Sequence, residues 1–165
     1  MLFRSAQLFD DARVRDFLKE ALEADAVLMT LHGGKASCPA YDGLIEALDE
    51  RRKAGSRTPY LHIDPQGGDE DGLLLARAHS PDFGTVPWDT IHRYLGLGGS
   101  DNICQLLRYL RNLAFAEAAE CRPPSEVPNE GIYHPDLAGI PYLEAYLSRK
   151  VDPSKPTVGL WFYQT

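Results

Sequence analysis

Hydrophobic residues recur with helical spacing in two stretches near the start of the chain. Over residues 10–24 the apolar positions follow one another at intervals of three and four, as on one face of an amphipathic helix: Val14, Phe17, Leu18, Ala21 and Leu22. Asp10 and Asp11 suit the N-cap of this helix, where a carboxylate accepts hydrogen bonds from free backbone amides. The pattern predicts a second helix over residues 39–54, with Gly55 as its C-terminal cap.

Two short apolar runs, residues 26–31 and 59–63, are typical of buried strands. His32-Gly33-Gly34 closes the first run, and Asp64 begins the loop that closes the second. A strand, a crossover helix and a second strand form a βαβ unit, whose handed connection makes the two strands parallel. The predicted fold class is therefore α/β, with an open, mostly parallel sheet built on a flavodoxin- or Rossmann-like βαβ unit and with an added helical segment.

The second half of the chain is predicted to be mainly helical at first and irregular afterwards. Three helices are expected, at residues 69–80, 90–95 and 101–119. Glycines interrupt the pattern at 96–99, and Ser100 or Asp101 can cap the last of these helices. Residues 122–136 contain four prolines and are predicted to lack regular structure, and a short helix at about 141–148 and a final strand at 156–163 follow.

These elements predict four parts along the chain: an α/β unit at 1–68, a helical segment at 69–121, a proline-rich connection with a short helix at 122–155, and, at 156–165, a strand of the same sheet or the start of the next α/β unit. The last strand is apolar on both faces, as in a central parallel strand, and such strands normally lead into a covering helix. We therefore expect the chain to be part of a longer polypeptide. An exposed sheet edge at Leu160 to Tyr163 would also allow a homodimer to form.

Composition restricts the partners and the cellular environment of this chain. Its 165 residues are 44% hydrophobic and 25% charged, which is typical of a globular protein, and the net charge of −7 disfavours binding to nucleic acid. No apolar run approaches the roughly 18 residues that span a membrane. The three cysteines, Cys38, Cys104 and Cys121, follow neither a disulfide framework nor a CxxC metal pattern, so the sequence favours a reducing cytoplasm.

The loops after the two predicted strands hold the candidate ligand-binding residues, His32, Gly33 and Asp64. The carboxyl ends of parallel strands meet at one edge of an open sheet, where such sheets bind ligands, so His32 and Asp64 can share one rim and hold a divalent ion or a proton. Two groups do not complete a metal site. A tight turn with a solvent-facing histidine, and a loop-capping aspartate, are the commoner explanations, and no metal is assigned.

No known catalytic motif is present in the sequence. The glycines before the 101–119 helix could cradle an anion, but the phosphate-binding pattern requires a lysine that this stretch lacks, so a turn with a capping residue is the stronger interpretation and ATP hydrolysis is not predicted. The remaining histidines lack metalloprotease or paired spacing, and no serine or cysteine nucleophile motif accompanies them: His62, His79, His92 and His134. No catalytic residue is assigned.

The order of several unusual segments resembles the large subunit of cobaltochelatase, the CobN type, in the family that includes the large subunit of magnesium chelatase. The most specific elements are YLGLGGSDN at 94–102, PNEGIYHP at 128–135 and PTVGLWFY at 156–163, and they follow VLMTLHGG and YDGLIEAL. Each element is short, but their order and separation make coincidence improbable, and the resemblance extends over nearly the whole chain. The resemblance implies an N-terminal segment of a very large protein.

This resemblance also implies a function and a set of partners. Large subunits of the family bind a tetrapyrrole, a corrin or a porphyrin, into which cobalt or magnesium is inserted, while separate AAA+ subunits hydrolyse ATP. The expected partners are therefore the rest of the large subunit, the AAA+ subunits and the ring. No catalytic residue of the family maps onto a position in this chain, so we expect the segment by itself to be non-catalytic and to carry no cofactor.

Overall fold

The structure is a computed structural model that describes residues 10–66 and 70–126, all within one compact unit that spans Met1–Glu126. The described residues form five α-helices, two β-strands and a short 3-10 helix at Gly34–Ser37. In chain order the helices and strands are α1 (Asp11–Glu23), β1 (Ala26–His32), α2 (Tyr41–Lys53), β2 (Tyr60–Gln66), α3 (Glu70–His79), α4 (Val86–Leu97) and α5 (Gly99–Phe115).

The two strands form a parallel pair, with Ala26 opposite Tyr60 at one end and His32 opposite Gln66 at the other. Helix α2 is the crossover between them, so the predicted βαβ unit and the α/β fold class are confirmed. The caps of α1 and α2 also agree with the prediction from the sequence. Asp10 accepts a hydrogen bond from the Ala12 amide at 2.8 Å, and Gly55 closes α2 in a left-handed conformation with a φ of 67°.

The sheet lies between two layers of helices. Alternate strand residues such as Met29 and Ile63 pack against Leu44 of α2 and Ala21 of α1 in one hydrophobic cluster. The opposite face carries Ala26, Leu28 and Tyr60, which pack against a second cluster from α4 and α5: Ile91, Tyr94, Leu106 and Leu110. Both faces of the sheet are therefore covered, as is typical of parallel sheets.

Strand β2 is longer than predicted. Asp64, Pro65 and Gln66 were expected in a loop, but they continue the strand. Proline is tolerated here because of the direction of the backbone amides: the Ile63 amide points away from β1 and bonds to the Ser80 hydroxyl at 2.9 Å. The nitrogen of Pro65, two residues later, points to that same outer edge, where a missing N–H removes no hydrogen bond between the strands.

The helices of the second half differ from the prediction at their ends. Helix α4 begins at Val86 rather than at residue 90, because a proline is compatible with the first helical turn. Helix α5 begins at Gly99, so the residue at its N-cap is Gly98 and not Ser100 or Asp101. The same helix ends at Phe115 rather than at 119, because Ala116 turns into the left-handed region with a φ of 52°.

Other predictions fall on residues outside the described part. These are the helix at about 141–148, the strand at 156–163, the dimer through Leu160 to Tyr163, and the irregular structure beyond residue 126. Residues 122–126 have no regular structure, as predicted. The domain boundaries stay a prediction.

Cys38, Cys104 and Cys121 are all free thiols. Within 10–66 and 70–126, no helix combines the length and the apolar character needed to cross a membrane.

Leu44→Ala is expected to lower the free energy of unfolding by about 2–5 kcal/mol, because the Leu44 side chain is fully buried between α2 and the sheet. Leu74→Ala is the matched control, since Leu74 is exposed and its truncation should change stability by no more than about 0.5 kcal/mol. Urea unfolding followed by circular dichroism measures both values, and equal losses would contradict this description of the core.

Candidate functional site

A buried carboxylate forms the centre of a polar cluster between β2 and α4. Asp64 is completely buried, and three side chains hydrogen-bond to it. His92 Nδ1 lies 2.9 Å from Oδ2, His62 Nε2 lies 3.5 Å from the same oxygen, and Gln66 Nε2 donates to Oδ1 at 2.6 Å. His62 and Gln66 precede and follow Asp64 by two residues, so the strand places all three side chains on one face.

The cluster keeps Asp64 ionised. Burial has the largest single influence and raises its pKa, but the hydrogen bonds from His62, His92 and Gln66 together outweigh burial and hold the pKa of Asp64 below its ordinary value. An ionised carboxylate only accepts hydrogen bonds, so both histidines donate to it. His92 therefore carries a proton on Nδ1, and His62 carries one on Nε2.

Trp88 stacks on both imidazole rings. Its ring stacks on His92 with centroids 5.2 Å apart and an interplanar angle of 14°, and on His62 at 5.5 Å and 30°. Phe83 contacts the same indole edge-on, with a centroid distance of 4.9 Å. Two buried nitrogen atoms of the cluster, His62 Nδ1 and Trp88 Nε1, have no hydrogen-bond partner among the described residues.

The three residues predicted to bind a ligand occupy different surroundings. His32 is the exposed last residue of β1 and lies opposite Gln66, while Gly33 forms a left-handed turn with a φ of 87°. Asp64 hydrogen-bonds to His62, His92 and Gln66, so the structure brings it together with two histidines other than His32. The ligand-binding role of His32, Gly33 and Asp64 stays a prediction. In the part of the chain described here, no group of three or more His, Cys, Asp or Glu side chains is placed to hold a metal ion.

Gly33 also lines an open cavity of about 660 Å³ between the loop after β1 and helix α3. Its wall includes an exposed ion pair, in which Lys35 Nζ lies 2.7 Å from Asp42 Oδ1, and such a pair contributes about 0–1 kcal/mol. Burial raises the pKa of the Cys38 thiol in the wall, which keeps this cysteine protonated and weakly nucleophilic. The cavity is large enough for a small molecule, but its wall does not concentrate charges of one sign.

The YLGLGGSDN element holds a later part of the chain. The Tyr94 hydroxyl donates to the Arg122 carbonyl, and Asn102 Nδ2 donates to the Ser125 carbonyl at 2.9 Å. Asn102 Oδ1 accepts from the Ser125 amide at 3.0 Å, and Gln105 Oε1 accepts from the Arg122 amide at 3.1 Å. We call these three side chains, Tyr94, Asn102 and Gln105, the segment clamp.

The glycines of this element shape the turn between α4 and α5. Gly98 adopts a φ of 60° and a ψ of −158°, a combination that is essentially restricted to glycine. Its carbonyl accepts a hydrogen bond from Asn102 Nδ2 at 2.8 Å. The glycine run thus forms the predicted turn and orients the segment clamp, but the predicted cap by Ser100 or Asp101 is wrong, because Gly98 occupies the N-cap position.

Sequence reasoning did not find the cluster around Asp64. The alternation of His62, Asp64 and Gln66 along one strand was a usable signal, because residues two apart share a face. His92 is 28 residues from Asp64, and only the packing of α4 on the sheet brings the two together.

Asp64→Asn is expected to destabilise the protein most strongly near neutral pH. The folded-state pKa of Asp64 is lowered, so its stabilisation is fully present above the ordinary value of about 3.9 and is lost as the pH falls through the folded value. Urea unfolding at a series of pH values from 7 to 3 should show the stability gap between wild type and variant narrowing below about pH 4. Asp16→Asn, at an exposed position of α1, is the control, and a gap that does not depend on pH would contradict the ionised state of Asp64.

Asn102→Ala is expected to lower stability by about 1–3 kcal/mol, because the buried Asn102 makes hydrogen bonds to both Gly98 and Ser125. Amide hydrogen exchange at Ser125 should become faster, while the Arg122 amide, which is held by Gln105, should change less. Cys104→Ala, at an exposed position of α5, is the control. Unchanged exchange at Ser125 would rule out the segment clamp.

Comparisons with known proteins agree with the resemblance found in the sequence. Residues 92–165 match the family model described as CobN/Magnesium Chelatase. Among solved structures, the chain is similar to the catalytic subunit of cobaltochelatase from Mycobacterium tuberculosis, with 22% sequence identity and a TM-score of 0.45 over 78% of this chain. It spans only 10% of that subunit's length. The search of curated proteins gives no match. The matched residues 92–165, which include the three most specific sequence elements, are thus similar to the CobN/magnesium chelatase family.

Proposed function

We propose that this chain is a segment of the large, tetrapyrrole-binding subunit of an ATP-dependent cobaltochelatase, which inserts cobalt into a corrin ring in cobalamin biosynthesis. The family match over residues 92–165 carries the proposal, because it covers the YLGLGGSDN, PNEGIYHP and PTVGLWFY elements in order. A magnesium chelatase-type large subunit, which acts on a porphyrin, is the variant of this proposal that shares the same family match.

The described part would serve as a structural support in such a subunit. Metal insertion requires groups that replace water around a divalent ion and accept two protons from the ring nitrogens. Asp64 is fully buried and its oxygens already accept hydrogen bonds from three side chains. The polar side chains of the segment clamp bind the protein's own backbone. These contacts favour a role in positioning other parts of the subunit, with insertion taking place elsewhere.

The proposed partners are the rest of the large subunit, the AAA+ ATPase subunits, and the corrin or porphyrin. The ATPase subunits would bind and hydrolyse ATP, since the phosphate-binding lysine pattern is missing from this sequence. Cobalt or magnesium enters as a substrate, and the segment itself holds no resident cofactor. The three free thiols suit a cytoplasmic location.

A stand-alone binding module is the second candidate. The observation that favours it is the cavity of about 660 Å³ with Gly33 in its wall, at the carboxyl end of β1, where open α/β sheets bind ligands. This module would hold a small anion or a metal ion at the rim that includes His32.

Titration of this chain with a metal-free corrin, and separately with a metal-free porphyrin, separates the two candidates. A segment that lacks the rest of the subunit should leave the absorbance spectrum of either ring nearly unchanged. A saturable spectral shift would favour the binding module, and its loss in His32→Ala would locate the site on the predicted rim.

The insertion reaction tests the proposed function directly. The complete large subunit that contains this chain should insert cobalt into a corrin when its AAA+ subunits and ATP are supplied, as measured by the absorbance of the metallated ring. Failure with every combination of cobalt or magnesium and corrin or porphyrin would overturn the chelatase proposal. Insertion by this chain with only the AAA+ subunits added would overturn its non-catalytic role.

A further inference from the structure

The His92 ring is held in a fixed orientation at a partly exposed position of α4. Its Nδ1 donates to the buried carboxylate of Asp64, and its ring is stacked nearly parallel on Trp88. The His92 side chain is nonetheless 47% exposed. In the neutral ring, a proton on Nδ1 leaves Nε2 with a free lone pair. The cluster around Asp64 therefore holds an imidazole acceptor at the edge of α4.

An imidazole held in this way is typical of metal ligands. A metal-binding histidine usually donates its second nitrogen to a carboxylate or carbonyl, which fixes the ring and raises the basicity of the coordinating atom. A hydrated ion needs about three or four protein donors, and the residues described here provide no group of three suitable side chains. A metal ion already held in a planar tetrapyrrole needs only one axial donor from the protein.

The helix surface beside His92 is open at Gly96. Gly96 follows His92 by four residues on α4 and therefore lies on the same face of the helix. Helical side chains lean towards the N-terminus, so a side chain at position 96 would project over the turn that contains His92. A Cβ built at Gly96 would meet no heavy atom of the described chain within 4 Å. Packing within the described chain thus does not require glycine at position 96. Glycine inside a helix lowers stability by about 1 kcal/mol relative to alanine.

We propose that His92 Nε2 is an axial ligand for a metal ion held in a corrin or porphyrin, and that Gly96 leaves the space in which the ring lies against α4. The inference rests on the proposed function, since a chelatase subunit encounters a metallated ring as its product. In the binding step the Nε2 lone pair forms a bond to the metal and an axial water leaves, with no change in oxidation state. Asp64 acts as a positioning residue through its hydrogen bond to Nδ1.

Ligand exchange on a cobalt(III) corrin with exchangeable axial waters tests this site by absorbance. Wild-type chain should produce a saturable spectral shift of the kind caused by imidazole coordination. His92→Ala should abolish it, and Gly96→Leu should abolish it while the fold is kept, because leucine fills the open space and is a better helix former than glycine. Circular dichroism and urea unfolding check that both variants are folded.

His79→Ala is the matched control, since His79 is another partly exposed histidine, at the end of α3, that has no part in the cluster around Asp64. It should retain the wild-type shift. Absence of a shift in wild type, retention of the shift in His92→Ala or Gly96→Leu, or its loss in His79→Ala would each overturn the proposal. This test can be separated from the test of the chelatase function. If the complete subunit inserts cobalt but this chain shows no spectral shift, only the proposed axial ligand is refuted. If this chain shows the shift but the complete subunit does not insert a metal, only the proposed chelatase function is refuted.

Discussion

The burial of the Asp64 carboxylate requires α4 to pack on the sheet, because one of its three hydrogen-bond donors lies on that helix. An unpaired charge in the interior costs several kcal/mol, so Asp64 can be buried only where donors surround it. Two of its donors, His62 and Gln66, come from its own strand, and the third, His92, comes from α4. The carboxylate therefore links a local strand pattern to a distant helix, and α4 in turn carries the turn and the segment clamp that follow it.

The sequence was sufficient for features that depend on neighbouring residues. The βαβ unit was predictable from the apolar periodicity and from the helix caps at Asp10 and Gly55. Each of these signals involves residues only a few positions apart in the sequence. Pro65 could not be placed in β2 from the sequence, because its tolerance depends on which edge of the strand its nitrogen faces. The pairing of Asp64 with His92 was equally inaccessible, since it exists only after α4 has packed on the sheet.

The boundary of the family match divides the cluster around Asp64. His92 is the first matched residue, whereas Asp64 lies in the preceding α/β unit, outside the matched range. A hydrogen bond of 2.9 Å joins the two across this boundary. Within the YLGLGGSDN element, Tyr94 and Asn102 bind the chain's own carbonyl groups, and Gly98 provides a backbone conformation that other residues do not readily adopt.

The hydroxyl of Ser80 has a consequence for the sheet edge that it contacts. This hydroxyl accepts a hydrogen bond from the Ile63 amide on the outer side of β2. Pro65 has no N–H group that could donate on that side. A strand from another molecule would have to displace the serine and would still find a gap in the row of donors. Unpaired donors along a strand are what allow sheets to join edge to edge and aggregate, so this side of the sheet is protected from such self-association.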